Sequence, residues 1–183
     1  VKDATGPRFS EYGTLKPVPE DRIVSLDERS TINLGSRELV ALPTPGHAPH
    51  HMVYQDLATG PVFTGDSAGL YLGEKLIPST TPPSFDLEKS LDSLKKIKKL
   101  SPTVLLYSHF GPGREPGKLI DEYGRILREW VGLISNFNQS YKGEELVEEV
   151  LDRKGDWIGN GFTEEELAMN VRGVQRYLSW KGD

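Results

Sequence analysis

The amino-acid sequence predicts an α/β fold of the α+β type, followed by a helical appendage at the C-terminus. Three observations support this prediction. Short strand patterns separated by turn residues fill segment 23–64, one helix and one buried strand follow in segment 87–107, and helical periodicity begins near Pro116. This change of pattern divides the chain into a first unit at residues 1–115 and a helical extension at residues 116–183.

Strand patterns with turn residues between them predict two β-hairpins after an irregular lead-in at residues 1–20. In the first hairpin, Gly35-Ser36-Arg37 supplies the turn. In the second, the turn residues lie at 56–60. The strand patterns occupy residues 23–26, 31–34, 38–42, 52–54 and 61–64.

A long loop, a helix and a buried strand are predicted next. Residues 67–85 are rich in Gly, Pro, Ser and Thr, which is typical of a connecting loop. Segment 87–100 has helical spacing of leucines, lysines near its C-terminal end, and Asp86 or Ser84 as the N-cap. Segment 103–107 is apolar enough for a buried strand, and Gly111-Pro112-Gly113 is predicted as the turn that follows it.

The helical extension is predicted to contain three helices, at about 116–137, 144–151 and 163–180. Thr163 and Glu166 have the spacing of a capping box at the start of the third helix. The extension carries the aromatic residues Trp130, Tyr177 and Trp180. Because aromatic residues are enriched at interfaces, these helices are candidates for a homodimer contact or for a cover over an active-site mouth.

Composition limits the classes of partner. The chain has 183 residues, with 22 Lys and Arg against 27 Asp and Glu, giving a net charge of −5. This balance lacks the basic excess that nucleic-acid phosphates require, and no apolar run reaches the roughly 18 residues of a membrane span. No signal-peptide pattern follows Val1. We therefore expect a cytoplasmic protein with a small-molecule substrate, and neither nucleic acid nor a membrane as partner.

The distribution of cysteine and histidine limits the chemistry. Cysteine is absent, which excludes disulfides, thiolate nucleophiles and Cys-based metal sites. The four histidines are His47, His50, His51 and His109, so three of them lie within five positions. Any bound metal would have to be held by histidines and carboxylates.

Three residues with metal-binding chemistry lie at the ends of predicted strands. They are His51, Asp66 and His109, and side chains at strand ends meet at one edge of a sheet. Two imidazoles and a carboxylate suit zinc, iron(II) or manganese(II). Taken singly, however, a loop histidine is more often a hydrogen-bonded surface residue, and an Asp in Thr-Gly-Asp is more often a turn residue.

Three motifs in fixed order resemble the later metal-binding motifs of the metallo-β-lactamase-fold hydrolases. The motifs are Pro43-Thr44-Pro45-Gly46-His47-Ala48-Pro49-His50-His51, Phe63-Thr64-Gly65-Asp66 and Ser108-His109-Phe110-Gly111-Pro112. The resemblance covers roughly residues 22–112. It implies that the first unit is the second half of a metallo-β-lactamase-like αβ/βα sandwich.

The resemblance also implies a role for individual residues. His51 would bind the first metal, Asp66 would bridge two metals and act in catalysis, and His109 would bind the second metal. His47 would orient the loop by hydrogen bonding beside the metals, with direct binding of a metal as the alternative. His50 has no implied role, and the alternatives for it are to face solvent, to line a substrate pocket or to replace a neighbour as ligand. The implied cofactors are two divalent metal ions, with zinc expected and iron or manganese as alternatives.

One motif of the family, His-x-His-x-Asp-His, is absent from the sequence. We therefore expect a fragment of a metal-dependent hydrolase of ester, thioester, lactone or phosphodiester bonds. The missing N-terminal half is expected in the parent protein, and this chain alone is expected to be inactive. The alternatives are a noncatalytic half-fold interaction module with vestigial metal residues and a mononuclear metal binder. Tyr71 and Phe110 are candidate pocket residues that packing explains equally well.

Overall fold

A six-stranded sheet forms one layer of the fold. The computed structural model describes residues 13–14, 16–109, 111–159 and 161–181. The strands are β1 (Thr31–Asn33), β2 (Glu38–Pro43), β3 (Met52–Asp56), β4 (Val62–Gly65), β5 (Leu70–Leu72), β6 (Lys75–Ile77), β7 (Leu105–Tyr107) and β8 (Gly111–Gly113). The order across the large sheet is β1-β2-β3-β4-β7-β8, and β5 pairs with β6 separately. Neighbouring strands are antiparallel except β4 and β7, which are parallel.

Helices form the second layer of the fold. They are α1 (Leu87–Lys99), α2 (Pro116–Phe137), α3 (Gly143–Lys154) and α4 (Glu164–Lys181), with short 3₁₀ turns at Glu20–Arg22 and Gly155–Trp157. The Asp86 side chain caps α1 by accepting the Lys89 N–H at 3.0 Å. The predicted α/β fold with C-terminal helices is confirmed, as are both β-hairpins.

Three sequence predictions about elements are wrong. Residues 23–26 form no strand, and Ile23 and Val24 are 58% and 79% exposed, because no described strand lies beyond β1 to pair with them. The predicted loop 67–85 contains the β5–β6 hairpin, whose turn is made by Gly73 and Glu74 at φ +54° and +70°. Gly111-Pro112-Gly113, predicted as a turn, forms β8 against β7.

One apolar core joins the sheet to the helices. Val62 and Leu105 of the sheet lie in the same buried cluster as Ile97 of α1, Leu127 of α2 and Val171 of α4. The helical extension therefore packs into the core of the first unit. The division of the chain at residue 115 into two units stays a prediction.

The aromatic residues proposed for a dimer contact differ in exposure. Trp130 and Tyr177 are 2% and 5% exposed, so both are core residues of this chain, whereas Trp180 is 48% exposed. The homodimer stays a prediction, and of these three residues Trp180 is the one able to contact a partner. Among the described helices, none has the length and apolar content needed to cross a bilayer.

Tyr107 at the end of β7 carries a buried hydroxyl without a hydrogen-bond partner among the described residues. Burial raises the pKa of this hydroxyl above its ordinary value. Because an unsatisfied buried hydroxyl costs about 1–3 kcal/mol, we expect Tyr107→Phe to raise the free energy of unfolding by about 1 kcal/mol. Urea denaturation measures the change. Tyr123→Phe is the matched control, since its hydroxyl accepts the Ser79 N–H at 3.2 Å and its removal should destabilise. Equal destabilisation by both substitutions would contradict the prediction.

Candidate metal centre

The loop between β2 and β3 is fixed against the N-terminal end of α1. The Gly46 carbonyl accepts the Asp86 N–H at 2.8 Å, and the Pro45 carbonyl accepts the Ser93 hydroxyl at 2.7 Å. Gly46 has φ +139°, and a Cβ there would lie 2.5 Å from the Cα of Ser90. Only glycine allows this approach, which explains the Pro-Gly of the motif and fixes the backbone from which the next residue, a histidine, projects.

The turn after β4 places a carboxylate beside this loop. β4 ends at Gly65, whose φ of +51° is in the left-handed region, and a Cβ on Gly65 would lie 2.5 Å from the Nε2 atom of His51. The next residue, Asp66, donates its backbone N–H to the same Nε2 atom at 3.0 Å. Glycine is therefore required so that the His51 ring can support the backbone of Asp66.

The Asp66 carboxylate lies between two imidazoles. Its Oδ2 atom is 3.5 Å from the Nε2 atom of His47, and its Oδ1 atom is 3.4 Å from the Nε2 atom of His109. The side chains of His47, Asp66 and His109 are 18%, 27% and 53% exposed, so solvent reaches the group from the His109 side. Each carboxylate oxygen thus faces a different ring nitrogen.

The donor atoms of this group fit divalent metal ions. Two donors bound at about 2.0–2.1 Å to one tetrahedral zinc lie roughly 3.4 Å apart, which is close to both observed distances. The two carboxylate oxygens face different imidazoles, so the spacing suits two metals with a bridging carboxylate. Among the described residues, no three His, Cys, Asp or Glu side chains form a complete metal-binding group. Any metal held here would need further donors.

His51 has both ring nitrogens engaged by protein groups. Its Nε2 atom accepts the Asp66 N–H, and its Nδ1 atom lies 3.0 Å from the Thr44 hydroxyl and 2.9 Å from the Ser67 hydroxyl. Because a backbone N–H can only donate, the Nε2 lone pair of His51 is occupied. Burial and the neighbouring His47 lower the pKa of His51, which keeps the ring neutral. His51 supports the carboxylate turn through the backbone.

His47 has protein contacts at its Nδ1 atom, and its Nε2 atom faces the Asp66 carboxylate. Its Nδ1 atom lies 3.2 Å from the Ser79 carbonyl and 3.1 Å from the Ser79 hydroxyl. A carbonyl can only accept, so a hydrogen bond to it would place the hydrogen on Nδ1, and Nε2 is the ring nitrogen on the side of Asp66. The neighbouring His50 is exposed.

The structure therefore brings together His47, Asp66 and His109, with His51 behind the carboxylate. The sequence predicted His51 as a ligand and His47 as a hydrogen-bonding residue, and these roles stay predictions. The structure places His47, and not His51, with its Nε2 atom against the Asp66 carboxylate. Three partners of these rings were missed, namely Thr44, Ser67 and Ser79. Thr44 lies inside the motif and could have been noticed, whereas Ser67 and Ser79 are 16 and 32 residues from their histidines and carry no sequence signal.

Of the two candidate pocket residues, Tyr71 is not part of this group. The Tyr71 ring stacks on Tyr107 with centroids 5.2 Å apart and packs against the core, so packing explains it. Phe110 lies outside the described residues.

Sequence comparison finds relatives for more than half of the chain. The family model described as Metallo-beta-lactamase superfamily matches residues 2–109. The metallo-beta-lactamase fold-containing protein ST1585 of Sulfurisphaera tokodaii is 37% identical over 107 residues, which are 58% of this chain and 40% of that protein. The probable polyketide biosynthesis zinc-dependent hydrolase PksB of Bacillus subtilis is 32% identical over 104 residues, which are 55% of this chain and 42% of that protein.

A solved structure shares the fold. The crystal structure of ST1585 from Sulfolobus tokodaii, an archaeal metallo-beta-lactamase superfamily protein, matches with a TM-score of 0.62 at 26% identity. The match covers 95% of this chain and 60% of that one. The chain thus spans about two fifths of the length of the curated relatives and three fifths of the solved structure.

Proposed function

The chain belongs to the metallo-β-lactamase superfamily, and from this premise we propose that it supplies His47, Asp66 and His109 to the metal centre of a hydrolase. The observation that supports the proposal is the carboxylate of Asp66, whose two oxygens face the Nε2 atoms of two different imidazoles at 3.4 and 3.5 Å. In this proposal one divalent metal would be held by His47 and Asp66, and a second by Asp66 and His109.

Zinc is the metal that we propose, with iron or manganese as alternatives. Imidazole nitrogen and carboxylate oxygen suit all three, and a relative named as a zinc-dependent hydrolase favours zinc. When bound, the metals would supply Lewis acidity for the hydrolysis of an ester, thioester, lactone or phosphodiester. The remaining ligands would come from a part of the parent protein that corresponds to the missing motif.

The protein groups have separate tasks in this proposal. Asp66 would offer one carboxylate oxygen to each metal, because its two oxygens face different imidazoles. His51 fixes the backbone of Asp66 from behind, and the Thr44 and Ser67 hydroxyls hold the His51 ring. Such supporting hydrogen bonds around ligands typically change metal affinity by about 10–100-fold.

Paired substitutions of the histidines test the assignment in the full-length protein. We expect about two zinc ions per chain in the wild type, and His47→Ala to lose one of them together with hydrolytic activity. His51→Ala should keep both zinc ions but bind them about 10–100-fold more weakly, because it loses a support and no ligand. Elemental analysis after dialysis and chelator competition give these values. His50→Ala, an exposed neighbour, is the matched control and should behave as the wild type.

Other outcomes would select the alternatives. Loss of zinc in His51→Ala with retention in His47→Ala would restore the ligand role to His51. One zinc per chain in the wild type would favour a mononuclear binder. Absence of zinc, iron and manganese from the full-length protein would overturn the proposal and favour a noncatalytic interaction module.

A further inference from the structure

The orientation of the His47 ring depends on one residue of the segment between β6 and α1. Ser79 is 6% exposed and offers both its carbonyl and its hydroxyl to the Nδ1 atom of His47, at 3.2 and 3.1 Å. These two contacts to Nδ1 fix the direction of the ring. Whatever holds the backbone of Ser79 therefore also holds the Nε2 atom toward Asp66.

Helix α2 holds the backbone of Ser79 directly. The Ser79 N–H donates to the hydroxyl of Tyr123 at 3.2 Å, and Tyr123 is 1% exposed. Burial raises the pKa of this hydroxyl above its ordinary value, so it stays protonated. The contact links residues 44 positions apart and exists only because α2 packs on the segment.

Helices α2 and α4 hold the next residue, Thr80, which is fully buried. Its N–H donates to the Oδ1 atom of Asn170 in α4 at 2.5 Å, and its hydroxyl donates to the Asn170 carbonyl at 2.9 Å. The Trp130 indole N–H of α2 donates to the same hydroxyl at 3.1 Å. Asn170 in turn donates its amide to the Glu166 carbonyl at 2.8 Å, so its orientation is fixed.

We propose that Ser79 is a positioning residue for His47, and that Thr80, Asn170 and Trp130 transmit the positions of the C-terminal helices to it. The inference rests on the proposed function, in which His47 holds a metal. Apolar side chains would pack the same interface without directional bonds, whereas a satisfied buried polar network fixes one arrangement of the segment. Asn170 and Trp130 lie beyond residues 2–109 that match the family model, so the helical extension would contribute to the site from outside the matched part.

A pair of Thr80 variants in the full-length protein tests this inference. Thr80→Val keeps the shape but removes the hydroxyl, and Thr80→Ser keeps the hydroxyl. We expect Thr80→Val to bind Zn²⁺ about 10-fold more weakly by chelator competition, and Thr80→Ser to stay within about threefold of the wild type. In the metal-free protein, the ¹⁵N signals of the His47 ring should shift away from the wild-type positions in Thr80→Val and match them in Thr80→Ser.

Two further variants complete the test. The first separates an effect on the position of Ser79 from a general loss of stability, and the second tests the contact from α2. Val150→Ala creates a core cavity in α3, outside this network, so it should lower the melting temperature and leave Zn²⁺ affinity unchanged. Tyr123→Phe removes the acceptor of the Ser79 N–H and should weaken Zn²⁺ binding, which keeps the test usable if Thr80→Val does not fold.

Specific results would overturn the inference. A folded Thr80→Val with wild-type Zn²⁺ affinity and unchanged ¹⁵N signals of the His47 ring contradicts it. Val150→Ala weakening Zn²⁺ binding as much as Thr80→Val also contradicts it. If Thr80→Val does not fold, a Tyr123→Phe variant that binds Zn²⁺ with wild-type affinity contradicts the inference. The proposed function fails separately, if His47→Ala itself binds Zn²⁺ as the wild type does.

Discussion

We expect Gly173→Ala to lower the free energy of unfolding by about 3 kcal/mol or more, the upper end of what overpacking costs. Gly173 lies in α4, and a Cβ there would be 1.5 Å from the Thr80 carbonyl oxygen and 3.0 Å from the backbone nitrogen of Pro82. Both contacts are backbone atoms, which cannot rotate away as a side chain does. The helix would have to move off the segment that Asn170 holds. Urea denaturation followed by circular dichroism measures the loss.

Gly132→Ala is the matched control for this substitution. Gly132 lies in α2, is exposed, and would place its Cβ with nothing within 4 Å. Alanine is the better helix former, so the control should stabilise the protein by about 0.5–1 kcal/mol. The two substitutions therefore have expected effects of opposite sign. A stability change for Gly173→Ala within 1 kcal/mol of the Gly132→Ala value would contradict the packing of α4 against Thr80.

We expect Asp66→Ala to lower zinc affinity in the full-length protein on the order of 100-fold or more, and at both metal positions. Each carboxylate oxygen faces a different imidazole, so under the proposed function one substitution would remove a donor from each metal position. Alanine keeps the backbone N–H that donates to His51, so the turn should survive. Zinc content and hydrolytic activity should fall together while the melting temperature of the metal-free protein stays nearly constant.

An exposed carboxylate provides the control for Asp66→Ala. Asp121 in α2 forms an ion pair with Lys98 at 2.6 Å, and its side chain is 64% exposed. Surface ion pairs contribute about 0–1 kcal/mol, so Asp121→Ala should leave zinc binding and stability nearly unchanged. If Asp66→Ala retains two zinc ions and full activity, the carboxylate is not a bridging ligand.

Local sequence signals determined most elements of the fold. The capping box is an example: the Thr163 N–H donates to Glu166 Oε2 at 2.7 Å, and the Glu166 N–H donates to the Thr163 hydroxyl at 3.2 Å. The turn Gly35-Ser36-Arg37 and the N-cap Asp86 are also contacts within a few residues. Such features could be predicted because the interacting groups are neighbours in the chain. The order of the three motifs likewise indicated the family, because motif order is a property of the sequence alone.

Only the tertiary structure decided which histidine of the first motif faces the carboxylate. His47 and His51 are equally good ligands as residue types, and they differ in what binds their second nitrogen. The Ser79 carbonyl lies against the Nδ1 atom of His47, whereas the Asp66 N–H donates to the Nε2 atom of His51. These partners lie 32 and 15 positions away, and packing of β4, α2 and α4 brings them into place. No periodicity or spacing encodes a hydrogen bond over that distance. The sequence therefore identified the metal motif but did not show which histidine turns a ring nitrogen toward the carboxylate.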